Sequence, residues 1–344
     1  MPNSSSESGA EVRDGFQCEP MLSAYFGRFR IGGVSVGLSS DRGEDVAFNP
    51  SLQPFRVEDG SSDVCLQIEW VNRLSATASH RLFDSGSVWR LYESHEDFQF
   101  DFTVPIFGEQ PYKRLLVDSN FRRATLQMSE QSFRGIGCAA NPLEYPLDEL
   151  LIMHRLTQEK AIELHSCGIV RPDGTGNLFV GHSGAGKSTT TRLWTALEDV
   201  EVLSDDRIIV RRDEVCGGTG EQQIPRFARN DKYLARNGNE CVPNTKMRMY
   251  GTPWHGEAAY ASPGSAPLAR IFILEHGHGN LLTQLSPSQA VAELFARSFV
   301  PFHRHEYVES ALEFLQEVVD AVPCYRFAFE PNEGAVERIL EFRD

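Results

Sequence analysis

The chain has 344 residues, of which 41% are hydrophobic and 24% charged, with a formal net charge of −15. A surface that acidic repels phosphate backbones, which argues against a nucleic-acid partner. No window approaches the ~18 continuous apolar residues of a membrane-spanning helix, and the length allows one large domain or two ordinary ones.

The opening stretch Met1–Glu11 is polar and acidic, without a basic segment or an apolar core, so it does not read as a signal peptide. Residues 1–17 are expected to form a disordered tail. The seven cysteines, Cys18, Cys65, Cys138, Cys167, Cys216, Cys241 and Cys324, are odd in number, and no two have CxxC spacing. That pattern predicts reduced thiols and a cytoplasmic protein rather than a disulfide framework or a zinc site.

Residues 18–144 read as a β-rich domain. Val64, Leu66, Ile68 and Trp70 alternate with polar residues, as do Phe98, Phe100, Phe102 and Val104, which predicts half-buried strands. Gly/Ser/Asp clusters at Ser39–Glu44, Asp59–Asp63 and Asp84–Ser87 mark turns. Trp89 and Phe100 fall at strand positions and are expected in the core. This half carries no phosphate loop or paired acids, and its expected role is recognition of a substrate or partner.

The pattern changes in the Asn141–Tyr145 stretch, and residues 145–344 read as a second domain. Leu147, Leu150, Leu151 and His154 share one helical face, with Pro146 suited to the first turn. Glu163–Val170 reads as a strand, Pro172–Gly176 as a hairpin turn and Asn177–Val180 as a second strand. That strand runs into Gly181-His182-Ser183-Gly184-Ala185-Gly186-Lys187-Ser188, which fits G-x-x-x-x-G-K-[ST], with Thr189 next.

Each loop position has a physical task. The glycines let backbone N–H groups converge on phosphates, and the helix expected from Lys187 aims its positive dipole end at the same place. Lys187 supplies charge to the β- and γ-phosphates, and Ser188 a hydroxyl to Mg²⁺. A P-loop also needs a metal-orienting carboxylate on a neighbouring strand. Val200–Ser204 reads as that strand and ends in Asp205-Asp206, 18 and 19 residues beyond Lys187. One acid is suited to the metal and the other to accepting a proton from an attacking hydroxyl. Strand alternation leaves open which is which.

Beyond a strand at Ile208–Arg212, residues 213–246 read as a long polar loop insertion. Met247-Arg248-Met249 is strand-like, and Tyr250–Glu257 contains Gly-Thr-Pro-Trp-His-Gly. There Trp254 and His255 are candidates for substrate contact, or Trp254 pins a hairpin, and Arg248 is a candidate for neutralising phosphate charge. His276/His278 and His303/His305 have pair spacing for a metal, but no third ligand is evident. The remainder reads as mostly helical. A capping box at Ser286–Gln289 precedes Val291, Leu294, Phe295 and Ser298. Two further stripes follow, Val308/Leu312/Leu315/Val319/Val322 and Val336/Ile339/Leu340.

The run from His165 through the glycine loop to Asp205-Asp206-Arg207 resembles the catalytic domain of HPr kinase/phosphorylase and related kinases with a phosphoenolpyruvate carboxykinase-type P-loop. The matching features are a histidine 16 residues before Gly181, the GxSGxGKS loop, the acid pair at its distance, and the arginine and apolar strand after it. About 45 residues match well. The reverse-reaction signature of HPr kinases is missing and the first half does not read like theirs, so the resemblance is to a divergent member. It implies an α/β to α+β fold, a P-loop kinase core with a mixed sheet beside the β-rich N-terminal domain. It implies Asp205 as catalytic base, His165 beside the phosphates, Lys187 and Ser188 on nucleotide and metal, and, by analogy, a homo-oligomer.

The expected function is an ATP- and Mg²⁺-dependent kinase that phosphorylates a hydroxyl of a small molecule or a peptide serine. The alternative is a P-loop ATPase or nucleotide switch acting on a protein partner.

Overall fold

The computed structural model describes residues 25–40, 42, 46–75, 80–94, 97–134, 139–212 and 247–342. The expected tail at 1–17, the loop insertion at 213–246 and four of the cysteines lie outside these residues. The fold is mixed α/β, built on two sheets.

The first sheet holds β1 (Tyr25–Ile31), β2 (Val34–Ser40), β3 (Val64–Val71), β4 (His80–Asp84), β5 (Trp89–Ser94), β6 (Asp97–Phe102), β7 (Lys113–Val117) and β8 (Arg123–Ser129). Its strand order is β1-β2-β3-β8-β7-β6-β5-β4, with parallel pairings only at β2–β3 and β3–β8. The alternation in β3 buries Val64, Leu66 and Ile68 on one face. In β6 both faces are covered: Phe98 and Phe100 enter the core, while Asp101 on the other side is held by the Arg114 guanidinium at 2.6 and 3.0 Å. Phe100 is fully buried, and Trp89, partly buried, stacks on Phe83. Cys65 of β3 is disulfide-bonded, which corrects the expectation of reduced thiols throughout; Cys167 and Cys324 are free and buried.

The short α1 (Glu130–Phe133) leads toward α2 (Leu147–Leu156), where Pro146 stands at the N-cap rather than inside the first turn. The apolar side chains of α2, Leu147, Leu150, Leu151, Ile152 and Leu156, pack with Phe29, Leu38 and Phe100 in the first core. Ile209 and Trp254 from the second half join the same core. The two halves thus share packing through α2, although the sequence break lies before it.

The second sheet centres on β9 (Ala161–Val170), flanked by β10 (Gly176–Val180), β11 (Glu201–Ser204), β12 (Arg207–Arg212) and the two-residue β16 (Ser298–Phe299), all antiparallel to it. β12 continues through β13 (Met247–Tyr250) to β14 (Ser265–His276). β14 runs parallel to β10 and to β17 (Cys324–Phe329), and β15 (Leu281–Gln284) lies at the edge.

Both faces are covered by helices, so strand side chains are apolar on both sides. Leu178, Val180, Ile271 and Ile273 meet α4 (Pro287–Phe295) and α5 (His305–Ala321); Phe179, Phe272 and Phe327 meet α3 (Lys187–Leu197) and α6 (Gly334–Glu341). The capping box forms at α4: Ser286 accepts from the Gln289 N–H, and the Gln289 side chain accepts from the Ser286 N–H. Three short strands, β15, β16 and β17, alternate with these helices, which hold most of the residues from Ser286 onward, as the apolar stripes suggest. No helix of the described residues is long and apolar enough to cross a membrane.

Candidate functional site

Because β10 and β11 are both antiparallel to β9, they run in the same direction and finish at the same end. β10 ends in the glycine loop and β11 in Asp205-Asp206, with His165 of β9 between. Backbone bonds lock this arrangement: Gly181 N donates to His165 O at 3.2 Å, and Ser166 N to Asp206 O at 3.0 Å.

The loop has the conformation its glycines permit. Gly184 and Gly186 have φ of +80° and +103°, and a Cβ at Gly186 would lie 2.4 Å from Phe329 Cζ. Gly186 is the N-cap of α3 and offers no side chain to the first-turn N–H groups. Those donors, with the dipole, make an anion-binding end. Ser188 and Thr189 sit half-buried in this first turn, while Ser183 and Gly184 are exposed. His276 Nε2 donates to Gly184 O at 2.8 Å and props the loop from outside. His276 therefore serves the loop and does not pair with the fully exposed His278, which lies 3.4 Å from Glu330. His303 is packed against His154, whereas His305 is exposed at the start of α5. Among the described residues no group of three or more His, Cys, Asp or Glu is arranged to hold a metal.

Lys187 is buried beneath the loop. Its Nζ lies 3.0 Å from Gly181 O, 3.2 Å from His182 O and 2.8 Å from His165 Nε2. Burial draws its pKa below the usual lysine value, and the Asp206 charge opposes that. His165 Nε2 also lies 2.9 Å from Asp206 Oδ1. Burial works to raise the Asp206 pKa, but the His165 hydrogen bond and the Arg207, His165 and Lys187 charges outweigh it and leave it lowered.

Asp205 faces the other way. Only 1% exposed, it accepts from Gly256 N at 3.0 Å and Tyr260 N at 3.3 Å through Oδ1, and from Ala258 N at 2.9 Å through Oδ2. Its carboxylate folds the 252–260 loop around itself. The carboxylate beside Lys187 is that of Asp206.

The remaining candidates separate. Trp254 is buried and donates its indole N–H to Asp148 Oδ2 of α2 at 2.8 Å, so it pins the loop to the core and offers no face to a ligand. His255 is exposed on that loop, its Nδ1 3.0 Å from Gly256 O. Arg248 stands opposite Arg211 in the β12–β13 register, four residues along β12 from Arg207, or about 13 Å at the usual strand rise. It donates to Ser265 Oγ and does not join the glycine loop.

Arg207, which follows the acid pair, does join, and it brings two acids that no motif marks, Glu149 and Glu163. Arg207 lies 3.0 Å from Glu149 Oε1 and 3.4 Å from Glu163 Oε1, contacts Asp206 Oδ2, and rests 4.1 Å above the Phe299 ring. Burial would lower the Arg207 pKa, yet Glu149, Glu163 and Asp206 raise it. Glu163 is fully buried, which pushes its pKa well up. Glu163 carried a signal, since its alternation with His165 puts both on one face of β9; Glu149 carried none. No protein-family model matches the chain, and no curated protein matches it.

Proposed function

We propose that this protein is a P-loop kinase that transfers the γ-phosphoryl group of ATP to a hydroxyl-bearing acceptor. The observation that carries the reading is the convergence of Lys187 and Asp206 on His165, at 2.8 and 2.9 Å, beside a glycine loop that opens a helix. In this reading the loop N–H groups and the α3 dipole hold the phosphates, and Lys187 exchanges its backbone carbonyls for phosphate oxygens.

Asp206 takes the part that the resemblance assigns to Asp205. The acceptor oxygen attacks the γ-phosphorus, its bond to the β–γ bridging oxygen breaks, ADP leaves, and the hydroxyl proton passes to the Asp206 carboxylate. Asp205 shapes the loop on which His255 stands. The Ser188 hydroxyl and an Asp206 oxygen are hard donors of the kind Mg²⁺ takes, and they fit an ion that completes its shell with water and phosphate oxygens. When bound, Mg²⁺ would neutralise phosphate charge.

Incubation with γ-labelled ATP and a panel of hydroxyl acceptors tests the proposal. A labelled acceptor supports it. Binding of ATP with label appearing only as inorganic phosphate would favour an ATPase or switch, and no binding at all would end the P-loop reading.

A further inference from the structure

Arg207 is the most heavily partnered cation of the site, and each partner comes from a different element. Glu149 lies on α2, Glu163 on β9, Asp206 at the β11–β12 junction, and Phe299 on β16. The guanidinium has only 14% of its side-chain surface exposed. A planar group with five donors in a fixed fork can serve two carboxylates at once and stack on an aromatic face, which a lysine ammonium cannot.

The consequence for Asp206 is geometric. Oδ2 is held by Arg207 and Oδ1 by His165 at 2.9 Å, so the carboxylate is gripped at both oxygens. Arg207 is itself anchored on Glu149, whose side chain is 10% exposed and belongs to a helix buried in the first core. A second tie leaves the same helix turn: the neighbouring Asp148 accepts the Trp254 indole N–H, and Trp254 belongs to the loop that wraps Asp205. Two consecutive acids of α2 therefore reach the two consecutive acids after β11, one through Arg207 and one through the 252–260 loop.

We propose that Arg207 is a positioning residue: anchored by Glu149, it fixes the Asp206 carboxylate against His165 and Lys187, so that α2, seated in the first core, sets the geometry of the phosphate site. For its catalytic consequence this rests on the kinase reading; for its geometry it does not. Residues that hold a reacting group must keep it within a fraction of an ångström, and a misplacement of about 1 Å costs on the order of 10²-fold in rate.

The test uses the full-length wild-type protein, Arg207→Ala and the nearly isosteric Glu149→Gln, with folding checked by thermal melting. In unliganded, ¹⁵N-histidine-labelled protein the His165 resonances, assigned through His165→Gln, report on its contact with Asp206. They are expected to move in both variants. With MgATP, affinity is expected to stay within about threefold, while slow ATP hydrolysis falls by about 10²-fold in Arg207→Ala and less in Glu149→Gln. Guanidinium chloride at millimolar levels is expected to recover part of the Arg207→Ala rate, where sodium chloride at equal ionic strength does not.

Folded variants with His165 resonances at the wild-type positions overturn the proposal, as does a wild-type hydrolysis rate in both. Should Arg207→Ala fail to fold, Glu149→Gln decides alone. Wild-type protein that does not bind MgATP would sink the kinase reading, while the unliganded resonances would still decide the role of Arg207.

Discussion

Asp206 Oδ1 lies 2.9 Å from His165 Nε2, across the gap between the end of β11 and the middle of β9. Its neighbour Asp205 is turned to the opposite side and bound by three backbone N–H groups. Two adjacent acids in the bend between β11 and β12 thus have two tasks, one toward the glycine loop and one toward the 252–260 loop.

Exchanging each acid for its amide separates these tasks. Asp206→Asn is expected to keep ATP binding and to lose phosphoryl transfer by roughly 10²–10⁴-fold, the usual worth of a positioned general base. Asp205→Asn puts an NH₂ group against at least one of the loop N–H donors and should cost about 2 kcal/mol of stability. Denaturant melts and transfer assays on both variants check this. A stable, inactive Asp205→Asn beside an active Asp206→Asn would reverse the assignment.

The glycine loop gives a second comparison. Gly184→Ala meets no atom within 4 Å and is strained only by its φ of +80°, whereas Gly186→Ala drives a Cβ to 2.4 Å from Phe329 Cζ at φ +103°. Gly184→Ala should cost about 1 kcal/mol. Gly186→Ala should cost about 1–3 kcal/mol more and distort the turn that opens α3. Thermal melts and ATP titrations of the two proteins measure the difference; equal effects would show that the Phe329 contact is easily relieved.

Stability should carry a recognisable pH signature. Burial pushes the Asp148 carboxyl up to about 7, from an ordinary value of 3.8. Between those values the folded chain holds a proton that the unfolded chain has lost, so this group lowers stability as pH rises through the window. Burial, with the neighbouring His303, lowers His154 to about 3, and burial, with Arg304, lowers His303 to about 4. Below their ordinary 6.5 the unfolded chain takes up protons that the folded chain refuses, so these groups lower stability as pH falls. The effects oppose each other between about pH 4 and 6.5. Asp148→Asn, which can still accept from Trp254, removes one of them. Its melting temperature should therefore rise more steeply than that of the wild type from pH 4 to 7, and parallel curves would contradict the Asp148 assignment.

How much of this was legible in the sequence follows from what is local. The glycine loop, the strand before it, the helix after it and the acid pair each lie within a few residues of their own signal, and the structure has β10, α3 and β11 there. The β9 strand was legible too, but not its place as the antiparallel hub between the loop and the acids, because register is a long-range property. Trp254 showed the same limit. An aromatic in a glycine-rich loop suits either a ligand or a core, and only its 2.8 Å bond to Asp148, 106 positions away, decides it. Arg248 lies on an expected strand, yet the register that sets it opposite Arg211, four residues along β12 from Arg207, is a long-range property. Glu149 sits on a helix whose polar positions look solvated until β12 is placed beside it. Cys65 had no paired spacing to announce a disulfide.

The central claim is that Lys187 serves the phosphates of a bound nucleotide, and titration calorimetry of MgATP into the wild type and Lys187→Ala tests it most directly. Among the described residues Nζ is bonded to two loop carbonyls and lies beside His165 Nε2, so its loss should leave the fold intact. The expected result is saturable binding by the wild type, and binding weakened at least about tenfold in a variant that melts like it. Equal affinity in a folded Lys187→Ala protein, or no binding by the wild type, would contradict the account.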